Sequence, residues 1–346
     1  MPTDRGASMN MRIALLGLSI LFFSTQPSCA SGFFRERIKQ RIVNKLEAEP
    51  APEASPNVSD KIEKSGDYTF TFSHGNIDRY YRVHVPQLYN SKVPTPLIVS
   101  MHGGGGDMTI QSSDEYYKLN TKSDKDGFIV VYPNGYSKFK SGRLATWNAG
   151  NCCAWARDEK IDDIGFIKEV LKKVSGQMNV DARRVYAIGM SNGAMMAYRL
   201  ACDAGSLFRG IAAVAGTDNT ISCSSPAPMS VLHIHAKNDD HVLFYGGAGK
   251  TFRDDSKVTN FTSVPSTIQK WTSIDKCEGV AVKTIDKKGA YCELYSKCQG
   301  GKHIQLCVTE DGAHSWPGGK KVRGGEDGSK ALYANDVIWD FFKALP

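Results

Sequence analysis

Hydrophobic and polar positions change period along the chain. DYTFTFS (67–73) and RYYRVHVP (79–86) alternate, as half-buried strands do, and His74-Gly75-Asn76 separates them like a turn. Unbroken apolar runs follow: PLIVSMH (96–102), FIVVYP (128–133), VYAIG (185–189), IAAVAG (211–216), MSVLHIHA (229–236) and IQLCVT (304–309). Runs of that length, with helical patterns between them, predict strands buried on both faces of a parallel sheet. IDDIGFIKEVLKKVSGQM (161–178) has helical periodicity, with Asp162 and Asp163 at the end where carboxylates suit the helix dipole. SNGAMMAYRLAC and the terminal ALYANDVIWDFFKAL predict further helices. The expected architecture is therefore α/β, a mostly parallel central sheet with helices on both faces, in a single catalytic domain over 67–346.

The N-terminal part follows other rules. Arg12 precedes an eleven-residue apolar run, Ile13 to Phe23, too short to span a bilayer, and Ser28-Cys29-Ala30 offers small residues for cleavage. Residues 1–30 thus read as a signal peptide, with no stable membrane span and a secreted or periplasmic product. A lipid anchor on Cys29 is the alternative, for which Gln26-Pro27-Ser28 is a poor lead-in. In 33–49, Phe34, Ile38, Ile42 and Leu46 recur every four residues among Arg and Lys, a basic amphipathic helix. Its short apolar face suits a solvated spacer better than a membrane contact. Glu49 to Asp60, rich in Pro, Ala and Ser, reads as a linker, so 31–66 joins leader to domain.

Composition fits a globular enzyme, with 41% apolar residues. The net charge of +7 lacks the basic, aromatic-studded patch of a nucleic-acid binder, and none is expected as a partner. Of nine cysteines, Cys29 falls in the leader and eight remain, an even number that suits an oxidising compartment. Four precede 224–276 and four follow, which is compatible with two local sets of two bridges. Vicinal Cys152 and Cys153 are expected to reach separate partners.

The candidate chemistry centres on Gly189-Met190-Ser191-Asn192-Gly193. Alone, G-x-S-x-G is a weak signal in a chain with 33 glycines. Here it follows a strand pattern and opens a helix pattern, which is the context of a nucleophile elbow. A serine hydroxyl needs a base, itself oriented by a carboxylate, and on this fold the chain order is Ser, acid, His. Asp162 and Asp163 come too early. Asp239 and Asp240 follow a strand, where a loop can aim one inward, and His314 lies in a glycine-flanked loop after IQLCVT. HGGGGD (102–107), after the strand PLIVSM, is where Gly103 or Gly104 can offer an N–H to an oxyanion, with Asn192 as second donor. Trp147, near the cysteine pair, is expected to wall the cleft.

Taken in order, LIVSMHGGGGD, WNAGNCCAWA, IDDIGFI, RVYAIGMSNGAMMAYRLAC, HAKNDDHVLFYGG and GAHSWPGG resemble the secreted polyhydroxybutyrate-depolymerase and feruloyl-esterase-like family of α/β-hydrolases, over about 67–346. The resemblance implies Ser191 as nucleophile, Asp239 as acid and His314 as base. It implies the N–H groups of Gly104 and Asn192 as oxyanion donors, Trp316 as a cleft residue and an ester as substrate. No cofactor or metal is implied. Two other readings compete. His233-Ile234-His235 with Asp239 and His241 faintly resembles a metallohydrolase set, although the spacing is two residues too long. A non-catalytic exported binding protein on the same fold is the other.

Overall fold

The computed structural model describes residues 29–55, 61–223, 227–252, 258–322 and 324–346. The expected leader therefore lies outside the described residues, except for Cys29 and Ala30. The chain divides into two units, Met1–Lys45 and Leu46–Pro346. Helix α1 (Cys29–Ala48) accounts for the described part of the first, with Ile38 and Ile42 exposed on it and Lys39 paired to Glu36. Among the described residues, no helix is long and apolar enough to cross a membrane.

The second unit is built on strands β1 (Gly66–His74), β2 (Ile77–Val85), β3 (Thr95–Met101), β4 (Ile129–Pro133), β5 (Val180–Met190), β6 (Gly210–Val214), β7 (Ser230–Ala236), β8 (Val282–Lys287), β9 (Ala290–Tyr295) and β10 (Ile304–Thr309). They form one sheet in the order β1-β2-β4-β3-β5-β6-β7-β10-β9-β8. The six central strands, from β4 to β10, run parallel, and hairpins pair antiparallel at both margins. Short helices α2 (Met108–Gln111), α3 (Leu119–Asp126) and α4 (Ala154–Asp158) precede the longer α5 (Asp163–Gln177), α6 (Asn192–Asp203), α7 (Val264–Ile274) and α8 (Ala334–Lys343).

The alternation of a strand splits its residues between two cores. On β5, Val185 and Ala187 join the cluster under α5, α6 and α7, while Tyr186, Ile188 and Met190 join the cluster under α3 and α8. Burial on both faces is why these strands read as unbroken apolar runs. It also leaves only their ends available for polar chemistry. The carboxyl ends of β3, β5, β7 and β10 lead directly into His102–Gly106, Ser191, the 237–241 turn and the 310–316 loop.

Candidate active site

The site begins with backbone geometry. Ser191 has φ +55° and ψ −119°, an L residue held in a sparsely populated region between β5 and α6. Its N–H donates to Val214 O at 2.8 Å, which fixes the turn to the end of β6. A Cβ on Gly193 would overlap the carbonyl oxygens of Met101 and His102, and one on Gly189 would overlap Gly193. The two glycines are therefore required by close approach of chain to chain, and the serine projects at the sheet edge.

Ser191 Oγ lies 2.9 Å from His314 Nε2, and His314 Nδ1 lies 2.9 Å from Asp239 Oδ2. Asp239 is fully buried as a side chain. Burial would raise its carboxyl, but the charge on His314 and hydrogen bonds from His235 and His314 hold it well below the usual carboxylate range. An ionised carboxylate only accepts, so Nδ1 carries the imidazole proton and Nε2 is free to receive one from the hydroxyl. Oδ1 of Asp239 accepts from the N–H groups of His241 and Val242 at 2.8 and 2.9 Å, which seats the acid in its turn.

The glycine run lies against this elbow. A Cβ built on Gly103 would meet Ser191 Cβ at 3.5 Å, and one on Gly104 would meet Asn192 Cβ at 3.6 Å. His102, a residue outside the expected set, and the side chain of Asn192, expected only as an oxyanion donor, hold this region in place. His102 is buried and its pKa is lowered by that burial; its Nδ1–H donates to Gly103 O at 2.8 Å and its Nε2 accepts from Gly135 N at 2.9 Å. The Asn192 side chain clamps Trp147, accepting from its N–H at 2.7 Å and donating to its carbonyl at 3.1 Å.

A cleft of about 950 Å³ opens over Ser191 and His314. Trp316 lines it, stacked edge-on against Tyr117, with its indole N–H on Asn335. Trp147 does not. It is fully buried, with its indole N–H donated to His102 O at 2.9 Å, because the Asn192 clamp draws it beneath the glycine run. Nor do Cys152 and Cys153 reach separate partners: they pair with each other, and Cys153 reaches the cleft wall. The other bridges are Cys202–Cys223, Cys277–Cys298 and Cys292–Cys307, two bridges on each side of 224–276.

His233 and His235 are buried in a chain of hydrogen bonds, from Tyr198 OH through both imidazoles to Val242 O and Asp239. Every ring nitrogen there already has a protein partner, which accounts for them as packed polar groups. Ligand atoms of Asp239, His241 and His314 do lie within 4.8 Å of one another, but the Nδ1 of each histidine is held by its own carboxylate. Asp240, the other acid open from sequence, carries His241 and not His314.

Strand order and the serine at the β5–α6 turn make this an α/β-hydrolase fold. The acetyl xylan esterase from Aspergillus awamori superposes with a TM-score of 0.53 at 13% identity, covering 77% of this chain and 94% of that one. Residues 81–251 match the family model described as Esterase PHB depolymerase. Among curated proteins, feruloyl esterase B of Piromyces equi is 25% identical over 250 residues, 69% of this chain. A probable feruloyl esterase C of Aspergillus niger is 27% identical over 270 residues, 77% of this chain and 84% of the relative. The match spans only 43% of the Piromyces protein's own length. Over about half of its length and in its fold, the chain is similar to the polyhydroxybutyrate-depolymerase and feruloyl-esterase-like α/β-hydrolases.

Proposed function

We propose that the protein is an exported serine carboxylic-ester hydrolase. One observation carries this reading: the continuous hydrogen-bond line from Ser191 Oγ through His314 to Asp239 at the floor of an open cleft. His314 takes the serine proton as Oγ attacks the ester carbonyl, and Asp239 stabilises the imidazolium. The N–H groups of Gly104 and Asn192 receive the oxyanion. His314 then returns the proton to the departing alcohol, and water cleaves the acyl-enzyme by the same route.

Relatives named feruloyl esterase support an ester of a plant polysaccharide as substrate, and the family model supports hydroxyalkanoate polyester or its oligomers. The paired cysteines support an oxidising compartment, hence export. Trp316 forms part of the substrate wall. The test is a hydrolysis panel of hydroxybutyrate oligomers, methyl ferulate, acetylated xylan and short-chain nitrophenyl esters, run with wild type and Ser191→Ala. The variant is expected to keep the fold and lose at least about 10⁴-fold in kcat. Substantial residual hydrolysis, or no covalent labelling of Ser191 by an active-site phosphonate, would remove the reading.

A further inference from the structure

The turn that carries Asp239 carries a second carboxylate–imidazole pair beside it. His241 Nδ1 lies 2.7 Å from Asp240 Oδ1, and its ring stacks on that of His314 at 4.6 Å between centroids and 17° between planes. Both residues of the pair line the cleft. The arrangement is built rather than incidental. His241 N–H is held by Asp239 Oδ1, Thr251 Oγ1 donates to Asp240 O at 2.7 Å, Gly249 N–H donates to His241 O at 2.7 Å, and Phe252 closes edge-on at 5.5 Å.

Orientation follows from these bonds. The two acids are consecutive and each holds Nδ1 of its own ring, which leaves the Nε2 edge of each ring to other partners. Nε2 of His314 meets Ser191. Nε2 of His241 has no protein partner among the described residues and is not sealed from solvent. The groups that set its charge are His314, Asp239 and Asp240, with Lys321 acting on Asp240. Burial, then the charge of His314, lowers the pKa of His241 in spite of the two carboxylates. At neutral pH its Nε2 is therefore a bare acceptor, on a ring that lines the cleft and stacks on the catalytic imidazole.

We propose that His241, oriented by Asp240, is a leaving-group subsite that accepts a hydrogen bond from a hydroxyl on the carbon next to the ester-bearing one, so that the favoured substrates are esters of polyhydroxylated alcohols such as sugars. This rests on the esterase reading and narrows it, because simple alkyl esters and polyester chains lack such a hydroxyl. An adjacent hydroxyl hydrogen-bonded in the transition state raises kcat/KM, whereas a methylated one has no proton to donate to Nε2.

The test compares 2-hydroxyethyl acetate with 2-methoxyethyl acetate, which share the acyl group and the ether-like oxygen but not the donor. Wild type is expected to favour the hydroxyl compound about tenfold in kcat/KM, the effect of one net hydrogen bond. In His241→Phe, which keeps a stacked ring, the ratio should fall to near one. Being a ratio, it is insensitive to any general loss of rate. His241→Gln, which restores an acceptor at nearly the same reach, should recover part of the preference and serves if the Phe variant does not fold. A wild-type ratio near one, or a preference undiminished in His241→Phe, overturns the proposal. Failure to hydrolyse either acetate and every ester of the panel, with Ser191 unlabelled by phosphonate, would instead overturn the esterase reading beneath it.

Discussion

At the scale of single residues, the site depends on one charge kept where burial opposes it. Asp239 is buried and held well below the usual carboxylate range by the charge of His314 and by donors from both histidines. Its folded pKa is depressed, so the stability it contributes is present above the ordinary carboxylate range and is lost only as pH falls through the folded value. Activity lost on mild acidification therefore belongs to an imidazole and not to this acid. Asp239→Asn removes the charge and presents an amide that can donate, which favours the wrong His314 tautomer. The expected outcome is a loss of about 10⁴-fold in kcat with KM little changed, measured on a nitrophenyl ester. A loss below tenfold would mean that His314 does not depend on Asp239.

At the scale of elements, parallel strands and the elbow were legible because both faces of the strands are apolar and the turn is local. The hairpin β8–β9 was not. Its Val282–Lys287 strand is mostly exposed and rich in Lys, so no apolar run marks it. Helix α7 escaped for a related reason: VPSTIQKWTSI buries only Val264, Thr267, Ile268 and Trp271. Asp163 lies in the first turn of α5 as read, but it also makes a buried ion pair with Arg79 of β2 at 2.6 Å and accepts from Asn148 N at 2.8 Å, ties that span too much sequence to be read locally. Asp275, at the C-cap of α7, accepts from Met229 N ahead of β7, and its other oxygen is buried without a partner. Burial pushes this carboxyl from 3.8 up to about 7, against the Met229 hydrogen bond and the charge of Lys302. A raised folded pKa means that the proton is held more tightly in the folded state. The contribution is thus complete below 3.8 and lost as pH rises towards about 7. Asp275→Asn, neutral throughout, should exceed wild type in stability by up to about 4 kcal/mol at pH 8, with the difference vanishing near pH 4. Urea denaturation at the two values checks both size and sign; an equal difference at both would assign the effect to packing.

At the scale of the whole molecule, the site draws together segments that no local pattern connects. Ser191, Asp239 and His314 were nameable because the fold orders them along the chain, and the resemblance narrowed Asp239 from Asp240. The stacking of His241 on His314, the His102 brace and the burial of Trp147 depend on distances between separate loops, which spacing does not encode. The loops that carry acid and base follow β7 and β10, neighbours in the sheet, and two of the bridges lie at β9 and β10 on that side. Cys292–Cys307 joins β9 to β10 across a separation of 15 residues, Cys277–Cys298 ties the end of α7 to the segment after β9 across 21, and Cys202–Cys223 closes a loop of the same separation after α6. Loops of this size contribute about 3 kcal/mol each through restriction of the unfolded chain. Replacing Cys292 and Cys307 together by Ser or Ala should therefore lower stability by about that amount, and it should reduce kcat as well, because β10 leads directly into the His314 loop. Removing Cys202 and Cys223 should cost similar stability with a smaller effect on kcat, since α6 is anchored at its other end by the serine turn. Thermal melting and steady-state rates on the two double variants separate the cases. Equal losses of kcat would mean that the bridges act on global stability alone and not on the placement of the base.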